Sequence, residues 1–181
     1  MAEYIISVDK DDKEIGPVEK MEAHNKGVLH RAFSIFIFNS DNQLLLQKRH
    51  ITKYHSAGLW TNTCCSHPRY GEKLKDSTYR RLKEEMGFTC ELSEIFSFSY
   101  KVNFENNLIE NEYDHVFIGT FDGEIIPNEN EVETYKWVDI AEVKSDIINN
   151  PHSYTFWFKC LFNRVIEFIE YGPAKNNNYV R

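Results

Sequence analysis

The sequence predicts an α/β fold: a single domain in which a mixed β-sheet is sandwiched between helices. Three observations carry that expectation. Segments of period-two alternation interleave with segments of helical period along the chain. One segment, His30–Phe38, is apolar on both faces past Arg31, as a central strand covered on both sides would be. No internal repeat and no low-complexity linker divides the 181 residues, a length that suits one well-buried core.

The elements follow in order. Tyr4–Val8 reads as a short strand and Asp9–Gly16 as a charged turn closed by Gly16-Pro17. Lys20–Lys26 is polar and reads as irregular or as a short helical turn. His30–Phe38 and Gln43–Arg49 form a hairpin about the turn Asn39-Ser40-Asp41-Asn42. A loop over His50–Leu59 leads into a strand at Trp60–Ser66, and the chain turns at Pro68–Gly71. Lys73–Met86 is a helix with Leu74, Ser77, Thr78, Leu82 and Met86 near one face and Gly87 as its stop. Phe88–Leu92 reads as a strand. In Ile95–Phe104, Phe96, Phe98, Tyr100 and Val102 alternate with Ser97, Ser99 and Lys101, giving a half-buried strand with an aromatic face. Leu108–Phe121 is a long strand ending at a tight turn, Asp122-Gly123. Thr134–Val138 is a strand, Ile140–Asn149 a helix, and Ser153–Tyr171 the last helix, ended by Gly172-Pro173. Residues 174–181 read as a loose tail.

The net charge of −7 argues against general binding to nucleic acid or anionic membranes. A small anionic substrate would need a local cluster of cations or metal ions. Of the four cysteines, Cys64 and Cys65 are adjacent and no C-x-x-C occurs. The first residues lack a basic flank and an apolar run of signal length, and no stretch is long enough to span a bilayer. The expectation is a cytoplasmic protein with reduced thiols.

Four constellations could carry chemistry. The first centres on Thr61-Asn62-Thr63-Cys64-Cys65-Ser66-His67-Pro68. In an extended segment Cys65 and His67 share a face and Cys64 takes the other. His24, His30 and His67 lie near strand ends, and Glu110 and Glu112 share one strand face. Imidazoles with carboxylates suit Zn²⁺ or Mn²⁺; scattered, solvated histidines are the alternative. A cation between the two glutamates would explain two like charges placed so close. The second is the end of the Lys73–Met86 helix, where Glu84 and Glu85 oppose the macrodipole. The third is a basic set, Lys20, Arg49, Lys53 and Arg81, which could converge on phosphates or be isolated surface charges. The fourth is aromatic: Trp60, Tyr100, Phe104 and Trp157 could line a pocket or simply fill a core.

The segment around that helix resembles the Nudix box, G-x₅-E-x₇-R-E-U-x-E-E-x-G-U with U aliphatic. Glu72, Arg80, Leu82, Glu84, Glu85 and Gly87 sit at their places, with Phe88 at the last U. Ser66 replaces the first Gly and Arg81 replaces the Glu after Arg80. Arg81 puts a cation where the hydrolytic cluster has an acid, which favours gripping a diphosphate over cleaving it. Together with A-H…L-H-R-A-F-S at 23–34, W-T-N-T-C-C-S-H-P at 60–68, R-R-L-K-E-E-M-G at 80–87 and E-N-E at 110–112, the chain resembles the type 1 isopentenyl-diphosphate delta-isomerases. The likeness runs from about Tyr4 to about Ile169.

The resemblance implies a Nudix-like domain over 1–173 that interconverts isopentenyl and dimethylallyl diphosphate, a step in isoprenoid precursor biosynthesis. It implies a tightly held Zn²⁺ or Mn²⁺ on His24, His30, His67, Glu110 and Glu112. It implies a Mg²⁺ on Glu85 and the backbone carbonyl of Cys65, bridging the diphosphate held by Lys20, Arg49, Lys53 and Arg81. Cys65 matches the catalytic cysteine, Glu112 helped by Tyr100 the other acid/base, and Trp157 the aromatic over the hydrocarbon tail. The alternative activity is Nudix hydrolysis of a nucleoside diphosphate derivative, resting on Glu72, Arg80, Glu84 and Glu85. The alternative outside enzymes is a metal-stabilised interaction module.

Overall fold

The computed structural model describes residues 2–104 and 106–172, so the tail expected at 174–181 lies outside the described residues. Nine strands and four helices are formed among them: β1 Tyr4–Val8, β2 Glu14–Glu19, α1 Lys20–Lys26, β3 His30–Phe38, β4 Leu44–Arg49, β5 Trp60–Thr61, β6 Cys64–Ser66, α2 Leu74–Met86, β7 Leu92–Asn103, β8 Ile109–Thr120, β9 Val132–Val138, α3 Ile140–Asn149 and α4 Phe156–Tyr171.

β3 is the hub of a mixed sheet. It pairs antiparallel with β1, β4 and β6 and parallel with β8, while β7 pairs with β8 and β9 with β4. Its nearly unbroken apolar sequence has the expected cause: both faces are covered. Phe33, Ile35 and Ile37 pack with Leu82 and Met86 of α2. Phe36 packs on the other side with Trp157, Phe158, Leu161 and Val165 of α4. The predicted sandwich of a mixed sheet between helices is thus the observed one. Cys64 joins the α2 side and Cys65 packs on the α4 side, as the strand alternation requires.

The structure corrects several element readings. Glu14–Glu19, whose first residues are expected in the turn closed by Gly16-Pro17, form an edge strand on β1. Pro17 is tolerated there because an edge strand need not donate every N–H. The single strand expected over Trp60–Ser66 is two strands, interrupted at Asn62 and Thr63. These two side chains replace the ladder. Asn62 Nδ2 donates to the carbonyls of Ile35 (3.2 Å) and Cys64 (2.8 Å). Thr63 Oγ1 donates to Leu45 O (2.7 Å) and accepts from Ile37 N–H (3.0 Å). The pair therefore wedges between β3 and β4, which share only the register pair Phe38↔Leu44.

Phe88 to Glu91 are not a strand; Phe88 instead stacks on Phe121 with ring centroids 3.8 Å apart. Asp122-Gly123 does not close a hairpin. Asp122 Oδ1 accepts from Ser40 N–H and Oγ–H, both at 2.8 Å, and the chain continues as a loop to β9. The last helix begins at Phe156 rather than Ser153. A 3₁₀ turn at Pro151–Ser153 precedes it, and Thr155 N–H donates to Trp60 O at 3.0 Å, holding the chain extended before the helix starts.

Helix α2 ends where the sequence requires. Gly87 has φ +81°, and a Cβ there would meet Ile126 O at 2.2 Å. The loop after β8 thereby presses against the C-terminus of α2. That loop carries Glu131 toward the site described next.

The Asn62 wedge is fully buried, so removing it strands polar backbone. Asn62→Ala is expected to lower stability by about 1–3 kcal/mol, measured as a shift of the urea midpoint at unchanged m-value. A midpoint equal to that of the wild type would show that the ladder closes without the wedge.

Candidate active site

Strand register builds the site. His30 of β3 lies level with Glu112 of β8, and Glu112 lies level with Tyr100 of β7. Four residues along, Ser34 of β3 lies level with Val116 on one side and Cys65 of β6 on the other. Every second residue of each strand faces α4, so His30, Ser34, Cys65, Tyr100, Glu110, Glu112 and Asp114 share one side of the sheet. His67 follows β6 on the same side, and α1 brings His24 over the edge.

One donor atom from each of His24, His30, His67, Glu110 and Glu112 lies within 4.8 Å of every other, and all five residues are buried. His24 Nδ1 is 2.6 Å from Lys20 O, and His30 Nδ1 is 2.8 Å from Val28 O. A ring that donates from Nδ1 to a carbonyl keeps its Nε2 lone pair free, and both Nε2 atoms face the acids. His24 Nε2 is 3.3 Å from Glu110 Oε1, and His67 Nε2 is 2.8 Å from Glu112 Oε1. His30 Nε2 and Glu110 Oε2 are buried without any hydrogen-bond partner. Orphaned donors and acceptors of this kind are rare, and both belong to the five-residue cluster. Nitrogen and oxygen donors in this number fit a divalent metal.

The electrostatics suit a site for a cation. Burial and the neighbouring Glu112 push the Glu110 carboxyl up to about 7. Burial works against ionising Glu112 as well, but the His30 imidazole 3.7 Å away and the hydrogen-bonded His67 outweigh it and hold its pKa well below the usual range. Burial drives the His67 imidazole down to about 3, the neutral form a metal needs.

A cleft opens in front of this cluster. It is lined by Lys20, Arg49, Lys53, Cys65, His67, Arg81, Glu85, Tyr100, Glu110, Glu112 and Trp157. The structure therefore brings together every residue the sequence singled out for substrate or proton transfer, with His24 and His30 fully buried next to them. Tyr100 O–H donates to Glu112 Oε2 at 2.6 Å. Burial pushes the Cys65 thiol up to about 12, so it carries its proton at neutral pH. The Arg49 guanidinium lies 5.3 Å from the Trp157 ring centroid, and Trp157 is nearly buried.

Glu85, at the misfit end of α2, is buried. Its Oε2 accepts from Gln47 Nε2 at 2.8 Å and its Oε1 pairs with Arg81. The other helix-end acid, Glu84, is engaged by Arg80 (3.1 Å) and Arg81 (2.7 Å). Glu72, the first acid of the box, is bound on both oxygens by Arg80 at 2.6 and 2.7 Å and does not reach the cleft.

Of the four aromatics, Tyr100 and Trp157 line the cleft. Trp60 lies elsewhere, under Lys136 at 4.6 Å, and Phe104 stacks behind His55 at 4.9 Å. Sequence reasoning missed His55, whose Nε2 is 2.7 Å from Glu110 Oε1. It also missed Gln47 beneath Glu85, and Glu131, which pairs with Lys53 and faces Arg81. His55 follows Lys53 by two residues in a loop with no periodicity, so only that proximity could have flagged it.

Residues 28–158 match the NUDIX domain family. Solved structures share the fold at low identity. A Deinococcus radiodurans protein, DR0079, has a TM-score of 0.74 at 16% identity, covering 90% of this chain and 98% of its own. A MutT protein from Methanosarcina mazei has a TM-score of 0.65 at 18% identity, covering 78% of this chain and 96% of its own. The fold and the helix-end acids thus define a protein of the Nudix class. Two relatives narrow it. Isopentenyl-diphosphate Delta-isomerase 1 of Aromatoleum aromaticum is 54% identical over 92% of this chain and 94% of its own length. Isopentenyl-diphosphate Delta-isomerase 2 of Photorhabdus laumondii is 56% identical over 90% of this chain and 92% of its own. The chain belongs to the isopentenyl-diphosphate Delta-isomerase family.

If the five-residue cluster holds a metal, metal binding is linked to folding. A divalent transition metal at a hundredfold excess over its Kd should stabilise the chelated protein by about 2.7 kcal/mol, read as a rise in Tm. His67→Ala should abolish that rise, and an equal rise in the variant would place the metal elsewhere.

Proposed function

We propose that this chain interconverts isopentenyl diphosphate and dimethylallyl diphosphate by adding a proton at one carbon and removing one from another. The observation that carries the reading is the cleft itself, which presents a protonated thiol, Cys65, and a carboxylate with a bound phenol, Glu112 with Tyr100, from different strands. The names of its relatives identify the diphosphate.

The chemistry explains why those groups are needed. An unactivated alkene is a poor base. Protonating its terminal carbon develops tertiary cation character at the branched carbon, and loss of a proton from the next methylene completes the shift. No group is transferred, so one residue supplies a proton and another accepts one. The reaction runs both ways, so each exchanges roles with direction. We assign these roles to Cys65 and to Glu112 assisted by Tyr100. Trp157 places a π face beside the developing charge, and its burial helps exclude water that would trap the cation as an alcohol.

Lys20, Arg49, Lys53 and Arg81 grip the diphosphate in this reading. His24, His30, His67, Glu110 and Glu112 would hold Zn²⁺ or Mn²⁺, and Glu85 with the Cys65 carbonyl would hold Mg²⁺; when bound, these ions supply fixed positive charge beside the acid and the diphosphate. No helix among the described residues is long and apolar enough to cross a membrane. A cytoplasmic enzyme with reduced thiols is the accompanying proposal. Nucleoside diphosphate hydrolysis is not favoured, because Glu72 is occupied by Arg80 and a guanidinium, Arg81, stands where the box has an acid.

The test is conversion of isopentenyl diphosphate, with Mg²⁺, to acid-labile dimethylallyl diphosphate. Cys65→Ala should lower kcat by about 10²–10⁴; full activity in that variant would remove the thiol from the reaction, and an inactive wild type would remove the function. Trp157→Phe should retain most of kcat, while Trp157→Leu should lose at least about tenfold, since only the former keeps a π face. Equal rates for the two would show that the indole acts by shape alone.

A further inference from the structure

Three of the four cations in the proposed diphosphate grip already have carboxylate partners. Lys20 Nζ is 3.1 Å from Glu3, Lys53 pairs with Glu131, and Arg81 pairs with Glu84 and Glu85. Arg49 has none among the described residues; its guanidinium donates to His55 O at 3.3 Å and lies over Trp157. Among these acids Glu131 is different. It reaches two of the cations at once, with Oε2 on Lys53 Nζ and Oε1 3.6 Å from Arg81 Nη2.

Glu131 is delivered there by its backbone. Its N–H donates to Asn128 O at 2.9 Å, and its carbonyl accepts from His50 N–H at 3.0 Å. Asn128 N–H in turn donates to Glu85 O at 2.9 Å. The turn is thus fastened to the ends of both α2 and β4, the elements that carry Arg81 and lead to Lys53. None of these bonds uses the Glu131 side chain, which keeps 25% of its surface exposed. The carboxylate can therefore turn to water while the backbone stays in place.

Two anions cannot share one pair of cations at full strength. We propose that Glu131 is an internal competitor for the substrate's diphosphate: carboxylate and diphosphate exchange on Lys53 and Arg81. The inference rests on the diphosphate reading of the cleft. A diphosphate wins the exchange because it brings more charge and more acceptor oxygens than one carboxylate. The exchange weakens substrate and product binding alike, so Glu131 sets KM and eases release without touching the reacting carbons. Uniform binding of this kind alters KM more than kcat.

The experiment compares the full chain with Glu131→Gln, which keeps the shape and removes the charge. Calorimetry with inorganic pyrophosphate and Mg²⁺ should give a Kd at least about fivefold lower in the variant. Its KM for isopentenyl diphosphate should fall in parallel while kcat does not rise. In a Lys53→Met background the Gln substitution should gain less, since one of the two contested cations is gone. If the Gln variant does not fold, Glu131→Ser removes the same charge and takes the same readout. Pyrophosphate that binds the wild type, with no gain in either variant, overturns the inference alone. Pyrophosphate that binds neither wild type nor variants overturns it together with the diphosphate reading.

Discussion

The parallel register of β3 against β8 is the constraint on which the rest of the structure depends. It sets His30 level with Glu112, and β7 adds Tyr100 to the same row. A slip of one residue would turn Asn111 and Tyr113 toward the site and bury no carboxylate there. The register is held by apolar packing on both faces of β3, which on the α4 side continues into the cleft through Cys65, Tyr100 and Trp157. Hydrophobic burial thereby pays for placing Glu110, Glu112 and Asp114 on one interior face, where like charges repel. Asp114 finds Ser34 Oγ–H at 2.8 Å, Glu112 finds Tyr100 and His67, and Glu110 finds His24 and His55.

The break in the sheet is part of the same construction. Asn62 and Thr63 answer the backbone groups of β3 and β4 with side chains, and this lets the two strands diverge. The short strand that resumes at Cys64 runs along β3 and delivers Cys65 and His67 to the cleft. Beyond the gap, β4 carries Gln47 under Glu85 and ends at Arg49. The thiol of Cys65, the imidazole of His67 and the guanidinium of Arg49 thus come from segments that part at one polar wedge.

The sequence made the site more legible than its surroundings. His24, His30, His67, Glu110 and Glu112 could be read because residue types with one chemistry recur at strand ends, and the structure gathers all five. The central strand could be read from its doubled apolar face, and α3 with its stop at Asn149-Asn150-Pro151, to the residue. The edge strand β2 could not: it is polar, holds Pro17 and has no alternation, because only its pairing with β1 defines it. Phe88 reads as a strand residue by type but is used for stacking on Phe121. His55 and Glu131 sit in loops, where position follows from tertiary hydrogen bonds that leave no local period. Trp60 misleads for the opposite reason, since a large aromatic next to site residues can pack away from the cleft, here against the α4-side core and under Lys136.

The cysteine doublet has a consequence for oxidation. Cys64 points into the core beside α2 and Cys65 toward the cleft. Neighbouring Cα atoms are about 3.8 Å apart, shorter than the span a disulfide usually bridges, and the pleat turns the two Cβ atoms to opposite faces. A vicinal disulfide would require the strand to come apart from β3. Under oxidative stress the sheet therefore protects the cleft thiol from its nearest partner. The route by which small oxidants reach Cys65 is then the cleft itself, not the neighbouring thiol.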